Sequence, residues 1–508
     1  MLRTSCLVLL LAGCDAAPSE DPAVDDAAAL DGAALDATPP DAAPDAAPLD
    51  AAPLDATPDA ALPPPLPSLE GPAVAPDLDP DPRVVEIELR ASAARYRLGA
   101  DLEIDGLAYN GQSPGPTIQA RVGDELVVRF KNDLDEATTI HWHGLRIPDD
   151  MDGSPRIQAP VQPGETFTYR FVLPDAGTFW YHPHVNAHTD VELGLQGMLI
   201  VHEAEPPVFA RERLLVIDDV LVENGRIPPP FRNRPELMHG RYGNLLLTNG
   251  TTEPKAGVAR EGDVERWRLV NTANGRFMDL SLEGARFRVI GTDGGLIAQP
   301  YETQRLSVAI GQRYDLEVTY DRPGTARLIS HIPVLEGENV VVRPFDIQSI
   351  EVAATGSAPQ PVALPEVAPP ARGRANQTAV LTFTVVEDAE TGVRWLLNGQ
   401  DGGHDSHHAG HPEPMFTFQQ GDYVRLVLDN RAGPTHPFHL HGQFFEILPD
   451  GRPETEQPGL KDTVLVPGLS QVTVFARMDN PGRWMAHCHI LEHASLGMMT
   501  EFLVEPAE

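Results

Sequence analysis

The stretch His487-Cys488-His489, followed by His493 and Met498, carries the most chemistry for its length in this 508-residue chain. Along a β-strand successive side chains point to opposite faces. Cys488 therefore faces one way while His487 and His489 face the other, so one strand can serve two metal sites at once. The cysteine side needs two imidazoles and a weak thioether to make a His2Cys site with an axial methionine, the blue-copper pattern. His493 and Met498 follow at spacings that a short turn or helix can fold back over the thiolate. A further imidazole is offered by His436, which stands just ahead of the pair His439-Leu440-His441. Two more pairs, His141-Trp142-His143 and His182-Pro183-His184, lie far upstream.

Four His-x-His pairs, two further histidines, one cysteine and one methionine together resemble the three-domain multicopper oxidases: the laccases, bilirubin oxidases and bacterial copper-resistance oxidases. The resemblance covers about residues 83–508 and fills every ligand position of the family. It implies four copper ions. The type 1 copper would take His436, Cys488 and His493 with Met498 as axial ligand. The type 2 copper would take His141 and His439. One type 3 copper would take His143, His182 and His489, and the other His184, His441 and His487. Dioxygen would be the electron acceptor. The acid that the family places after His-Trp-His-Gly corresponds to Asp152, a carboxylate able to relay protons. One position departs from many bacterial relatives. The residue after the second type 1 histidine, often Glu in those relatives, is Ala494 here, and the neighbouring Glu492 is the candidate substitute.

The elements that must position these ligands are read from a threefold repeat. Asn110-Gly111, Asn249-Gly250 and Asn398-Gly399 each follow an apolar stretch. Each is followed by a Gly-Asp step (Gly123-Asp124, Gly262-Asp263, Gly421-Asp422), then an alternating strand ending at Asn132, Asn271 or Asn430. Short alternating strands with Gly, Asp, Asn and Pro turns indicate β-sandwiches. The expected fold is all-β, with three consecutive cupredoxin-like Greek-key sandwiches at 83–205, 206–355 and 376–508 and a linker at 356–375. Where the outer copies carry His-x-His pairs, the middle copy has Leu280, Leu282, Ile329 and His331. The middle domain is thus expected to hold no copper, with the shared cluster between the first and third. Met499 reads as core. His188, His202 and His239 read as surface or structural histidines, and His331 as a leftover.

The N-terminal region has a different character. Residues 1–14 contain Arg3 and a short apolar run, too short to span a bilayer, and read as a signal peptide. Leu11-Ala12-Gly13-Cys14 resembles a bacterial lipobox, with Cys14 as the lipid-carrying residue. An ordinary secretory signal is the alternative. Residues 15–82 are mostly Ala, Asp and Pro, with sixteen acidic residues and no Lys or Arg. Such a segment buries too little apolar surface to offset its ordering entropy and reads as a disordered tether. It would reach about 45 Å. The net charge of −36 argues against a nucleic-acid partner. With Cys6 in the signal, Cys14 acylated and Cys488 a ligand, no disulfide forms. The expected location is the bacterial cell envelope, exported and anchored to a membrane through Cys14.

Substrate is the least specified feature. The resemblance favours a laccase-like oxidase of phenols, aromatic amines or similar one-electron donors, the axial Met implying a low-potential type 1 centre. The alternative is a metallo-oxidase of Cu(I), Fe(II) or Mn(II). The Met-rich insertion of the cuprous oxidases is missing, but the insertion at 402–411 carries His404, His407, His408 and His411. A scaffold without catalysis is disfavoured by the complete ligand set, and a nitrite reductase by the four-pair arrangement.

Overall fold

The computed structural model describes residues 66–336, 339–370, 373–402, 413–450 and 457–507. The signal, Cys14 and the histidines of the 402–411 insertion lie outside the described residues.

Three pairs of facing sheets carry the chain. In the first, strands Leu102–Tyr109, Val84–Gly99, Glu125–Asp133 and Thr166–Val172 form one sheet, and Ile118–Arg121, Gly197–His202, Gly177–His182 and His141–His143 the other. The third pair repeats this plan, with Gly482–Cys488 between His436–Leu440 and Met499–Glu505. In every copy the opening strand pairs in parallel with the strand after the Gly-Asp step: Val84–Gly99 with Glu125–Asp133, Glu212–Val220 with Val264–Asn271, and Gln377–Asp388 with Tyr423–Asn430. Each sandwich closes on its own apolar core, centred on residues such as Phe130, Trp267 and Leu426.

The repeated asparagines explain why the same sequence marks recur. Asn110, Asn249 and Asn398 adopt φ near +50°, each followed by a glycine at positive φ. This is the two-residue hairpin turn whose twist matches the flanking strands. Asn132, Asn271 and Asn430 each end a strand and clamp the loop that follows. Asn430 Nδ2 donates to the carbonyls of Pro434 and Val466, and its Oδ1 accepts from Ala432. Asn132 makes the same contacts with Glu136, Val161 and Leu134, and Asn271 with Arg276, Val308 and Ala273. In the outer sandwiches these clamped loops lead directly into the strands bearing His141 and His436.

In the middle sandwich Leu280 and Ile329 are buried apolar residues at the positions where its neighbours carry histidines. His331 Nε2 lies 2.7 Å from Ser281 Oγ, a structural contact. The expected tether needs correction at its end. Leu69–Glu70 adds a parallel strand to Glu212–Val220, Val74 bridges to Thr117, and Glu70 pairs with Arg211 and Arg213. An open sheet edge orders an adjoining extended segment through main-chain hydrogen bonds, a gain that composition does not reveal. Among the described residues no helix is long and apolar enough to cross a membrane.

Replacing Asn430 by Ala removes the donor to the Pro434, Val466 and Pro467 carbonyls and the acceptor of the Ala432 amide. It should lower stability by about 2–4 kcal/mol, read as a shift in the denaturant midpoint.

Candidate metal centres

The strand Gly482–Cys488 does what its alternation requires. It pairs with His436–Leu440 so that Phe438 faces Cys488 and His439 faces His487. On one side, Cys488 Sγ lies 3.5 Å from His436 Nδ1 and 3.7 Å from His493 Nδ1, and the two nitrogens are 3.2 Å apart. An ion at the centre of that triangle would stand about 2 Å from each atom, an ordinary metal–ligand length. Met498 is fully buried in the same core as Cys488, and its carbonyl accepts from the Cys488 amide. His493 sits on the one-and-a-half-turn helix Leu491–Ser495, which folds it back over the thiol.

On the other side, eight histidines converge from the first and third sandwiches. His141 and His143 pair across the sheet with His182 and Trp180. The ring of His141 stacks on His441 and that of His143 on His439, both at 3.8 Å between centroids. Three-ligand groups form from His143, His182 and His489, from His184, His441 and His487, and from His141, His143 and His439, with ligand atoms of each group within 4.8 Å of one another. His441 Nε2 lies 3.0 Å from His487 Nε2, and His489 Nε2 lies 3.3 Å from His143 Nδ1.

The outer nitrogens show which way the lone pairs face. Nδ1 of His141 meets the Asp152 carbonyl, that of His439 the Asp462 carbonyl, that of His182 the Pro183 carbonyl, and that of His487 the Cys488 carbonyl. A carbonyl only accepts, so each Nδ1 carries the proton and each Nε2 presents a lone pair inward. The Nε2 atoms of His141, His182 and His439 are buried with no hydrogen-bond partner among the described residues. His143 is turned round, with Nε2 on Asp462 Oδ1 at 3.1 Å and Nδ1 facing the cluster. Inward lone pairs with no proton donor fit bound cations. The thiol, thioether and imidazole set suits copper rather than the hard cations that take oxygen ligands.

Burial fixes the charge states. It drives His436 and His487 down to about 3, and His143, His182, His184, His441, His489 and His493 well below the ordinary imidazole range. The rings are therefore neutral, the form that binds metal. Burial pushes the Cys488 thiol far up, so a thiolate there depends on a bound cation.

Asp152 is buried against the cluster. Its Oδ2 lies 2.7 Å from His441 Nδ1 and its Oδ1 3.3 Å from His141 Nδ1. A counterpart was not legible in sequence. Asp462, beside Thr463, holds His143 and His439 from the opposite side. Burial would raise its carboxyl, but the Arg313 guanidinium and His143 carry it well below the usual range. Arg313 comes from the middle sandwich and grips both Asp462 oxygens at 2.7 and 2.6 Å. Beside it, Gly311 has φ +82°, and a Cβ there would lie 3.0 Å from both His143 and His489. The middle domain thus seals the cluster without supplying a ligand.

Two expectations change. Glu492 does not stand in for the carboxylate missing at 494: its Oε1 accepts from Asn274 Nδ2 at 3.0 Å, while Ala494 lines a cavity with His182, His184, Met485 and His487. Met499 is half-buried and lines that cavity instead of a core. His436 and His493 are both fully buried. The helix Arg234–His239 of the middle region lies over them. Leu237 packs into their core, its carbonyl accepts from Trp395 Nε1, and the Trp395 ring stacks 4.1 Å from His493. Of the other histidines, His202 is a buried partner of Gln119, and His188 reaches Ser495.

Comparisons with known proteins agree with this geometry. Multicopper oxidase family models match residues 94–206, 236–327 and 376–508. Multicopper oxidase MmcO of Mycobacterium tuberculosis is 31% identical over 458 residues, spanning 82% of this chain and 86% of that protein. The crystal structure of a multi-copper oxidase from Pseudomonas thermotolerans superposes with TM-score 0.72 at 33% identity, over 83% of this chain and 99% of that one. A multicopper oxidase from Campylobacter jejuni, a metallo-oxidase, gives TM-score 0.74 at 27% identity over 87% and 96% of the two chains.

In copper-free protein, the depressed imidazoles of His436 and His487 make the unfolded state the better proton acceptor between about 6.5 and about 3. Stability therefore falls as pH drops through that window and is restored on raising it. The midpoint of thermal unfolding, followed against pH, should decline below pH 6.5 more steeply for the wild type than for His436→Gln, which lacks one of these groups.

Proposed function

The chain belongs to the multicopper oxidases, oxidoreductases that use dioxygen, and we propose that it is a laccase-like member with one type 1, one type 2 and two type 3 coppers. The observation that carries this reading is the single strand on which Cys488 faces one ligand set while His487 and His489 face another. His436, Cys488 and His493, with Met498 as axial ligand, would hold the type 1 copper. His141 and His439 would hold the type 2 copper. His143, His182 and His489 would hold one type 3 copper, and His184, His441 and His487 the other. Copper bound there supplies one-electron steps at the single-ion site and storage of electrons for dioxygen at the three-ion site.

The chain's own residues do the rest. Cys488 is covalently flanked by His487 and His489, so its backbone offers an unbroken path of bonds between the two sites. Four one-electron donors are oxidised as one dioxygen takes up four electrons and four protons to give two waters. Asp152 and Asp462 orient the imidazoles they touch and keep the proton on the outer nitrogen. The cover over His436 and His493 makes an electron enter through the helix Arg234–His239 or the Trp395 ring, so compact donors that approach closely should be favoured over bulky ones. A metal-ion donor is the second reading. It is favoured by Met238 and His239, half-exposed on that covering helix, because thioether and imidazole bind soft cations.

We also infer that the protein is exported and held at a bacterial membrane through a lipid on Cys14. Leu11-Ala12-Gly13-Cys14 supports this.

Cys488→Ser should abolish the blue absorption and oxidation of any donor while the histidine cluster keeps its copper, as measured by absorption, metal analysis and oxygen consumption with a panel of phenols and reduced metals. Retained blue colour would sink the assignment. Acyl chains contribute about 0.8 kcal/mol per buried CH2, so Cys14→Ala should leave the exported protein without stable anchoring. Mass spectrometry of the mature N-terminus showing an unmodified Cys14 in the wild type would reject the anchor.

A further inference from the structure

Dioxygen reduction consumes one proton per electron, and the cavity that opens on His182, His184 and His487 has Ala494 where a carboxylate could have supplied them. The same wall carries a different device. Ser495, next to Ala494, lines the cavity, and its Oγ lies 2.7 Å from His188 Nδ1. Ser495 ends the helix Leu491–Ser495, and His188 lies on the helix Ala187–Asp190 of the first sandwich, which packs against it. His188 is 7% exposed. Its position is fixed: the ring packs on Phe231 at 4.9 Å between centroids, and its carbonyl accepts from Asn274 Nδ2 at 2.8 Å.

We propose that His188 and Ser495 form the proton relay of this cavity, in place of a carboxylate at 494. The proposal rests on the oxidase reading above, in which this cavity is where dioxygen is reduced. Imidazole has two ring nitrogens, so it can take up a proton at one and give one up at the other. As the Nδ1–H bond of His188 breaks, an O–H bond forms at Ser495 Oγ and the serine's own hydroxyl proton passes to an oxygen in the cavity. A solvent proton binds Nε2 in the same step, and exchange of the Nε2 proton for one at Nδ1 restores the starting tautomer before the next. No electron moves in the relay; all four come from the donor by way of Cys488.

Several charged groups face the relay. From the Leu491–Ser495 side comes Glu492, which shares the Asn274 amide and faces Arg241, and which burial pushes up. On the His188 helix itself is Asp190, raised to about 7 by burial and by Glu136. Glu136 is exposed and accepts from Asn186 Nδ2, an amide at the cavity's edge. None of these carboxylates is among the residues lining the cavity, which leaves Ser495 as the hydroxyl that connects it to a titrating group.

The test uses fully reduced holoenzyme mixed with dioxygen, with the return of the blue absorption followed across about pH 5 to 8. His188→Gln and Ser495→Ala should each slow reoxidation by about 10²-fold, the usual weight of a positioned proton donor. Both should flatten its pH profile, leaving copper content and anaerobic reduction of the blue centre unchanged. Adding Ala494→Glu to His188→Gln should restore the rate, which a packing role for His188 could not explain. Independently of turnover, the His188 Nδ1–H resonance of selectively labelled copper-free protein should lose its hydrogen-bonded shift in Ser495→Ala. Unchanged reoxidation and pH profile in either variant overturns the proposal, as does loss of rate accompanied by loss of copper and not rescued by Ala494→Glu. Wild-type enzyme that is reduced but not reoxidised by dioxygen overturns the oxidase reading and the relay with it.

Discussion

Burying many imidazoles in one place is unfavourable unless each outer N–H finds an acceptor and each inner lone pair finds a cation. That requirement governs the rest of the molecule. Leaving a buried polar group without its partner costs about 1–3 kcal/mol, and the cluster crowds eight rings together. For six of the eight rings the outer nitrogen is met, by backbone carbonyls at Asp152, Pro183, Asp462 and Cys488 and by the carboxylates of Asp152 and Asp462. Two carboxylates from different sandwiches approach the cluster from opposite sides. Each touches one histidine of its own domain and one of the other, so the interface between the first and third sandwiches is defined by the same contacts that aim the ligands.

This requirement gives the middle sandwich its role. It has lost its histidines, but an acidic Asp462 buried beside imidazoles needs a permanent countercharge, and Arg313 supplies it in bidentate form. The same arginine donates to the Thr178 carbonyl of the first sandwich. Nearby, Arg266 and Arg268 converge on Asp315, which accepts from the Thr178 hydroxyl. Removing one member of such a buried set leaves an unpaired charge, which is why the network is all-or-nothing. The middle domain is therefore a clamp: it holds the first sandwich and the Asp462 loop of the third in fixed relation, and Gly311 lets its backbone approach the cluster where any side chain would collide.

The histidines and cysteine that the structure gathers were legible in the sequence because metal chemistry demands particular residue types and a strand enforces a period of two. His487, Cys488 and His489 could be assigned to opposite faces from that alone, and the three Asn-Gly and Gly-Asp marks disclosed the repeat because only a few residues suit those turns. The outer partners were not legible. Any acceptor satisfies an imidazole N–H, so Asp462 carries no spacing that distinguishes it from other acids, and Arg313 is more than a hundred residues from the carboxylate it grips. Asp152 was found only through its place after His-Trp-His-Gly. Leu69–Glu70 was misread for a related reason. Its local composition is that of a tether, and the sheet edge that orders it is supplied by residues far along the chain.

The cover over His436 and His493 follows from the same separation between local and distant information. Both lie on one sandwich, and nothing in their local sequence shows what packs over them. Another sandwich then lays Leu237, Met238 and His239 across them, and Trp395 fills the space between with its indole N–H tied to the Leu237 carbonyl. Excluding water from a site of this kind lowers the local dielectric and would stabilise the less charged state of an ion held by Cys488, His436 and His493. The cover also lengthens the path that an incoming electron would have to cross, and it is supplied by a helix of a different sandwich from the one that carries those three residues.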